Sequence, residues 1–149
     1  MKTHVEFPSK KEIKKTAEIL KKGGIVVFPT DTVYGIGCLY DNKESIEKIY
    51  KIKNRPKIPL PILIYSEEQI SSLGCELSSQ AKDLINKFWP GAITLIMSYK
   101  SGKIGIRMPN YKPLLDLIKL SKKPQIGTSA NFHGQRPVSK WQDLSIDFI

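Results

Sequence analysis

The stretch that decides the fold is Ile25-Val26-Val27-Phe28-Pro29-Thr30-Asp31-Thr32-Val33-Tyr34-Gly35-Ile36-Gly37-Cys38. Its first four residues are apolar, which predicts a short buried strand. Pro29 cannot donate to a central ladder, so the strand is expected to end before it. The polar run Thr30-Asp31-Thr32 follows directly, and Gly35 and Gly37 would let a ligand approach the backbone closely. This pattern is typical both of a ligand-binding strand end in an α/β sheet and of an ordinary turn, and alone it does not decide between them.

The composition indicates a globular chain with a surplus of positive charge. The 149 residues are 40% hydrophobic and 26% charged, which predicts one domain over 1–149 with a sizeable core. Lysine and arginine number 24 against 14 aspartate and glutamate, a formal net charge of +10. This surplus favours nucleic acid or a nucleotide as partner, although a lysine-rich solvated surface accounts for part of it. No membrane-spanning run or signal-peptide pattern is present, so we expect a cytoplasmic protein without a membrane partner.

Cysteine and histidine form no recognisable metal pattern. Cys38 and Cys75 are far apart in a chain without a CxxC motif, so neither a disulfide framework nor a zinc site is expected. His4 and His133 are isolated. We therefore expect no metal ligand from protein side chains.

Helical and strand patterns alternate along the chain. Ser9 and Glu12 form a capping box, and the apolar spacing that follows predicts a helix over 10–22. Further helices are predicted to begin near Asp41, Ala81 and Pro113. Apolar runs predict buried strands over 61–65, 92–97, 104–107 and 124–127. This interleaving indicates an α/β fold around a central sheet.

Polar or charged side chains follow four of these elements, at Thr30 to Gly35, at Lys53 and Arg55, at Arg107, and at Thr128 to Asn131. Cations at a helix C-terminus are electrostatically ordinary, yet a lysine two residues from an arginine also suits a phosphate. The last tetrapeptide fits a backbone turn equally well. Neither a P-loop nor a GxGxxG motif is present.

Arg107 ends an apolar strand, where an unpaired guanidinium is unfavourable. The next carboxylate along the chain is Asp116. We therefore expect a ligand carboxylate beside Arg107, with a salt bridge to a distant residue such as Asp31 as the structural alternative.

Five motifs in order give the chain its resemblance to a known family. They are Phe28-Pro29-Thr30-Asp31-Thr32-Val33-Tyr34-Gly35, Lys53-x-Arg55-Pro56, Pro90-Gly91-x-x-Thr94-Leu95, Ile104-x-x-Arg107-x-Pro109 and Thr128-Ser129-Ala130-Asn131. Each motif is weak alone, but together, with this spacing from about Lys10 to about Gly134, they resemble the YrdC/TsaC family.

The resemblance implies a twisted open mixed sheet with flanking helices and a basic concave face. It also implies a nucleotidyltransferase, an L-threonylcarbamoyladenylate synthase, which forms threonylcarbamoyl-AMP and pyrophosphate from L-threonine, bicarbonate and ATP, with Mg²⁺ accompanying the ATP. Partner proteins would then transfer the threonylcarbamoyl group to an adenosine beside the anticodon of tRNA.

The resemblance also assigns residues to ligands, and we expect these residues to converge on one face. Those expected to bind L-threonine are Thr32 and Arg107, and those expected to bind ATP are Lys53, Arg55, Gly127, Ser129 and Asn131. Positioning and charge neutralisation by Lys53 and Arg55 would suffice, since the reaction needs no protein nucleophile.

One departure keeps a second function open. Family members continue beyond the position of Ile149 with a Gly-rich segment that completes the pocket, so the expectation is a YrdC-like domain without its usual C-terminal segment. The alternative is a non-catalytic module that binds double-stranded RNA or tRNA on the same basic face. ATP turnover that depends on threonine would separate the two.

Overall fold

Strands and helices interleave along the chain in a computed structural model, which describes residues 4–100 and 102–145. The strands are β1 (Val26–Phe28), β2 (Gly35–Leu39), β3 (Ile62–Leu63), β4 (Leu95–Tyr99), β5 (Gly102–Arg107) and β6 (Gln125–Ser129). The helices are α1 (Lys10–Lys21), α2 (Lys43–Lys53), α3 (Glu68–Ser72), α4 (Ser79–Phe88) and α5 (Lys112–Ser121), and a single 3-10 turn covers Trp141–Asp143.

The strands form one open mixed sheet in the order β1-β2-β6-β3-β5-β4. Within the described residues, β3 and β5 pair in parallel, and the other neighbouring strands are antiparallel. The predicted α/β class, with an open mixed sheet and flanking helices, is confirmed. None of the helices in the described residues is long and apolar enough to cross a membrane.

Side-chain alternation along the strands separates two hydrophobic cores. The first lies between one face of the sheet and helices α2, α3 and α4, and includes Ile36, Ile49, Ile70, Ile85 and Ile106. The second lies between the other face and helices α1 and α5, and includes Ala17, Leu39, Leu63, Leu117 and Ile118.

The second face is left open over β4 and β5. Among the described residues, neither strand contributes to the second core, and Ile96 is 66% exposed. Because Ile106 points into the first core, its neighbours Gly105 and Arg107 point to this uncovered side. We call it the open face, defined by Ile96, Gly105 and Arg107.

The glycines after the first strand are required by packing within the sheet, and the expected approach of a ligand to their backbone stays a prediction. Gly35 and Gly37 are buried within β2, a strand that was not predicted. A Cβ atom on Gly37 would lie 2.1 Å from the carbonyl oxygen of Ile126, and one on Gly35 would lie 2.7 Å from the ring of Phe28. These positions need glycine because neighbouring strands and side chains pack directly against their backbone.

Candidate ligand-binding site

The turn between β1 and β2 is organised by the hydroxyl of Thr30. Its oxygen accepts hydrogen bonds from the backbone N–H groups of Thr32 at 3.0 Å and Val33 at 3.2 Å, and donates to the Val33 carbonyl at 2.7 Å. Such hydroxyl-to-backbone bonds define a local turn. Thr30 therefore fixes the backbone on which Asp31 and Thr32 stand.

This turn meets Arg107. Its Nε donates to the carbonyl of Gly91 at 2.9 Å, and its Nη2 donates to the carboxylate of Asp31. The Nη1 and Nη2 atoms also lie 3.3 and 3.4 Å from the hydroxyl oxygen of Thr32. The side chains of Arg107 and Asp31 are only 14% and 15% exposed, so their ion pair is partly shielded from water.

Thr32 and Arg107 are therefore brought together, as predicted. The structural alternative named from the sequence, a salt bridge between Arg107 and the distant Asp31, is also present, across 76 residues of sequence. The ion pair satisfies the charge within the chain, so charge balance alone does not demand a ligand carboxylate. We call the set Thr30, Asp31, Thr32, Gly91 and Arg107 the Arg107 cluster.

Gly91 is a member of this cluster that the sequence reasoning did not single out. Its N–H donates to the carbonyl of Met108 at 2.8 Å while its own carbonyl receives Arg107. A Cβ on Gly91 would lie 2.3 Å from the carbonyl oxygen of Phe88, so the turn closes only around glycine. The signal that could have found it was the Pro-Gly motif at Pro90.

Lys53 is buried at the end of α2, with 2% of its surface exposed. Its ammonium donates to the carbonyl of Ser129 and, at 2.7 Å, to that of Asn131. Burial, and secondarily the nearby Arg55, lowers the pKa of Lys53 from 10.5 to about 8. Lys53 thus engages backbone carbonyls where the sequence suggested a phosphate contact, although an ammonium with three hydrogens retains one donor.

The chain changes direction at the end of α2, just before Arg55. Asn54 adopts the left-handed conformation, with a φ of 48°, which ends the helix and redirects the chain. Nη1 of Arg55 lies 3.4 Å from the hydroxyl of Thr128, while its Nε is buried without a hydrogen-bond partner. Within the described ranges neither Arg55 nor Lys53 forms an ion pair with an acidic side chain. Two neighbouring cations without a counter-charge favour an anion.

The segment at the end of β6 completes this second group. The Asn131 amide donates to the carbonyls of Phe132 and Gln135, both at 2.9 Å, while its Oδ1 is buried without a partner. Gly127 lies under Leu63, because a Cβ there would be 2.4 Å from Leu63 Cδ1, so packing requires glycine at this position. Its expected contact with ATP stays a prediction. We call Lys53, Arg55, Thr128, Ser129 and Asn131 the Lys53 cluster.

The two clusters lie at different places on the sheet. Arg107 is level with Leu63 and Gln125, at the start of β6, whereas Ser129 pairs with Gly35 at its other end. Of the residues expected to converge on one face, Thr32 and Arg107 are in contact, and Lys53 contacts the segment of Ser129 and Asn131. Among residues 4–100 and 102–145, no hydrogen bond joins Arg107 or Thr32 to Arg55.

The alternation of side chains along the strands also separates Arg55 from Arg107. Thr128 shares the face of Ile126 in the first core, and Arg55 contacts it there, while Arg107 points to the open face. The two clusters are connected through the backbone. The turn that carries Thr32 leads within three residues into Gly35, which pairs with Ser129 in the sheet.

An open groove of about 660 Å³ runs beside Arg55. Its lining includes Lys51, Lys57 and Glu47 in addition to Arg55, and the Lys57 ammonium lies 2.8 Å from the Glu47 carboxylate. The lining keeps an excess of positive charge, which suits an anion. In the part of the chain that the structure describes, no group of three or more His, Cys, Asp or Glu side chains could hold a metal ion.

An open mixed sheet that carries an Arg107–Asp31 ion pair in one cluster, and the cations Lys53 and Arg55 in another, defines an α/β protein with two polar clusters on its sheet. The family model described as Telomere recombination, which covers Sua5, YciO and YrdC proteins, matches residues 18–149. The chain belongs to the Sua5/YciO/YrdC family.

Individual relatives agree with this placement. Threonylcarbamoyl-AMP synthase of Bacillus subtilis is 34% identical, over 91% of this chain and 43% of that protein. The crystal structure of Pyrococcus abyssi Sua5 complexed with L-threonine superposes with a TM-score of 0.86 at 31% identity, over 95% of this chain and 44% of that one. Escherichia coli YciO gives a TM-score of 0.78 at 25% identity, over 87% and 68%. The chain thus spans less than half the length of the two synthase relatives.

Proposed function

We propose that the chain carries out L-threonylcarbamoyladenylate synthesis, forming threonylcarbamoyl-AMP and pyrophosphate from L-threonine, bicarbonate and ATP. Relatives of that name and a threonine-complexed relative of the same fold support the reaction class. The observation that carries the proposal is the convergence of both Nη atoms of Arg107 on the Thr32 hydroxyl.

That convergence suits the carboxylate of threonine. At 3.3 and 3.4 Å, the two donors make long contacts with one neutral oxygen. A carboxylate at this edge would receive two parallel charge-assisted hydrogen bonds, which are shorter and stronger. The Thr32 hydroxyl would then remain beside the ligand as a further donor or acceptor.

The Lys53 cluster suits the nucleotide. Nη1 of Arg55 makes only a long contact, at 3.4 Å to Thr128, and the groove beside it is also bordered by Lys51, so Arg55 and Lys51 would neutralise the phosphates. Ser129 and Asn131, which the resemblance assigns to the nucleotide, would lie beside its remaining polar atoms. A product made of an amino acid joined to AMP would carry both a carboxylate for the Arg107 cluster and a phosphate for the Lys53 cluster.

The chemistry then needs positioning more than a protein nucleophile. The threonine ammonium first releases a proton to the solvent. The amine and bicarbonate then give a carbamate with loss of water, and a carbamate oxygen attacks the α-phosphorus. The bond from that phosphorus to the bridging oxygen breaks, and pyrophosphate leaves with the electron pair. Arg107 would hold the carbamate in place, while Arg55 and Lys53 would stabilise the charge that develops on the phosphates.

Mg²⁺ would reach this site with the nucleotide. The described residues of the Lys53 cluster are cations, hydroxyls and an amide, and they offer no carboxylate set of the kind that binds Mg²⁺. We therefore assign Mg²⁺ no protein ligand and derive no step through it. Transfer to tRNA, with its partner proteins, would follow release of the product.

The direct test incubates the chain with ATP, bicarbonate and L-threonine and measures pyrophosphate together with the mixed anhydride. Pyrophosphate release that depends on threonine is the expected result. Binding of tRNA without threonine-dependent turnover would reject synthesis by this chain and favour the non-catalytic nucleic-acid module.

A further inference from the structure

We propose that Asp31 determines substrate specificity by binding the α-ammonium group of the amino acid whose carboxylate lies on Arg107. This inference rests on the proposed function, because it takes the Arg107 cluster as the site of an amino-acid substrate. It adds a role to a residue that otherwise serves as an internal ion-pair partner.

Some N–H groups of the Arg107 guanidinium have close partners within the chain, and the others remain available to a ligand. Nε is fixed by the carbonyl of Gly91, and Nη2 is fixed by Asp31. The donors that remain point at Thr32, where they find only long contacts with a hydroxyl. A substrate carboxylate can therefore bind the guanidinium while Asp31 keeps its place.

Asp31 itself has a free acceptor at this position. Its Oδ1 receives Arg107, and among the described residues its Oδ2 accepts no hydrogen bond. Asp31 lies at an exposed position and 15% of its side-chain surface is accessible, so a small ligand can reach the carboxylate. The hydroxyl of Thr30 holds the backbone on either side, which keeps the carboxylate next to the guanidinium.

The positive charge of Arg107 and the negative charge of Asp31 complement the carboxylate and the ammonium of an amino acid. A carboxylate ligand placed beside Asp31 would meet a like charge, which opposes binding. An α-amino acid carries an ammonium next to its carboxylate, so its two charges oppose those of Arg107 and Asp31. The pair would thus accept zwitterions and discriminate against simple carboxylic acids of the same shape.

The test compares three ligands by calorimetric titration of the whole chain. L-threonine carries both groups, β-hydroxybutyrate lacks the ammonium, and threoninol lacks the carboxylate. Asp31→Asn removes the charge but keeps an oxygen that can accept from Arg107. Asp41→Asn is the matched control, because Asp41 also pairs with a cation, Lys123, but at an exposed position on another part of the chain.

The wild-type chain and Asp41→Asn should bind threonine at least about tenfold more tightly than β-hydroxybutyrate, as expected for a charge-assisted hydrogen bond. In Asp31→Asn this preference should fall to nearly one, through weaker binding of threonine and stronger binding of β-hydroxybutyrate. Threoninol should bind weakly to every variant, and its affinity should fall further in Asp31→Asn.

Each other outcome overturns the proposal in an identifiable way. Equal weakening of threonine and β-hydroxybutyrate in Asp31→Asn would show that Asp31 only holds Arg107. An unchanged threonine preference in that variant would show that the ammonium lies elsewhere, while the proposed function stands. Failure of the wild-type chain to bind threonine at all would reject the amino-acid site and this inference with it.

Discussion

The ammonium of Lys53 lies 2.7 Å from the carbonyl oxygen of Asn131, although 78 residues separate the two in sequence. The backbone N–H of His133 donates in return to the carbonyl of Lys53 at 2.9 Å. The end of α2 and the segment after β6 are therefore held together from both sides. The Lys53 side chain can act on a nucleotide by fixing this segment as well as by its charge.

Replacing Lys53 with methionine should lower the free energy of unfolding. The carbonyls of Ser129 and Asn131 would lose their donor, and a buried polar group left unpaired costs about 1–3 kcal/mol. Relief from burying a charge offsets part of this loss, so we expect a net decrease of about 1–3 kcal/mol in urea unfolding. Lys43→Met, at the exposed start of the same helix, is the control and should have little effect. Equal stability of both variants would contradict the role of Lys53.

The stability difference between the wild-type chain and Lys53→Met should widen as the pH rises. Burial lowers the pKa of Lys53 from 10.5 to about 8, so between these values the unfolded state holds a proton that the folded state has released. Stability contributed by such a group rises with pH across that window. A neutral amine still has two N–H groups, enough for both carbonyls.

Comparing the wild-type chain with Lys53→Met removes the opposing effect of Cys38 on the pH dependence of stability. Burial, with a smaller contribution from Asp41, raises the pKa of the Cys38 thiol from 9.0 to about 12, so this group makes stability fall with pH between those values. Because Cys38 is present in both chains, its effect cancels in the difference. Urea unfolding at about pH 7 and at about pH 9.5 measures the gap, and a gap that stays constant would reject the assigned pKa of Lys53.

Arg55→Ala should weaken ATP binding without destabilising the chain. Loss of a charge-assisted contact to phosphate corresponds to about 1.5–3 kcal/mol, or roughly a tenfold to hundredfold loss of affinity. The substitution removes only one contact of the folded chain, at 3.4 Å to Thr128. It also removes the buried Nε, which has no hydrogen-bond partner and is therefore unfavourable. Calorimetric titration with ATP checks the first effect and thermal unfolding the second, with His4→Ala as control. Unchanged ATP affinity in Arg55→Ala would remove Arg55 from the nucleotide site.

These positions show which parts of the molecule could be predicted from sequence. Helix α1 was predicted to within one residue because its signals are local, with Ser9 capping the backbone N–H of Glu12 at 3.3 Å. The burial of Lys53 also had a local signal that was not used. It follows the fully buried Ile49 by four residues and so lies on the same face of α2.

Other features have no local signal. The strand β2 contains two glycines and no long apolar run, so its identity follows from pairing with β1 and β6. The ion pair between Asp31 and Arg107 joins two segments 76 residues apart. Which carboxylate pairs with Arg107 depends on the path of the turn across the sheet, and no spacing in the sequence encodes that path.

Gly91→Ala should weaken threonine binding through Arg107. A methyl group 2.3 Å from the carbonyl oxygen of Phe88 would force the turn to move, and overpacking of this kind costs about 1–3 kcal/mol. The Gly91 carbonyl that holds Nε of Arg107 would move with it. Gly102→Ala is the control, since its added Cβ would come no closer than 3.9 Å to Tyr99. Threonine affinity that is equal in the two variants would show that Gly91 does not position Arg107.

Arg107→Lys gives the most direct test of the threonine site. Lysine keeps the charge and can pair with Asp31, but it cannot also reach Gly91 and present two parallel donors near Thr32. The apparent Michaelis constant for threonine should therefore rise about tenfold or more, while that for ATP changes much less. Arg136→Lys, at an exposed position, should change neither constant.

Thermal stability alone cannot decide the role of Arg107. The lysine variant should also melt at a lower temperature, because the carbonyl of Gly91 loses its donor whether or not a ligand binds. The deciding quantity is the ratio of the threonine effect to the ATP effect in steady-state kinetics. If the melting temperature falls while the threonine constant stays the same, Arg107 is a structural partner of Asp31 and the amino acid binds elsewhere.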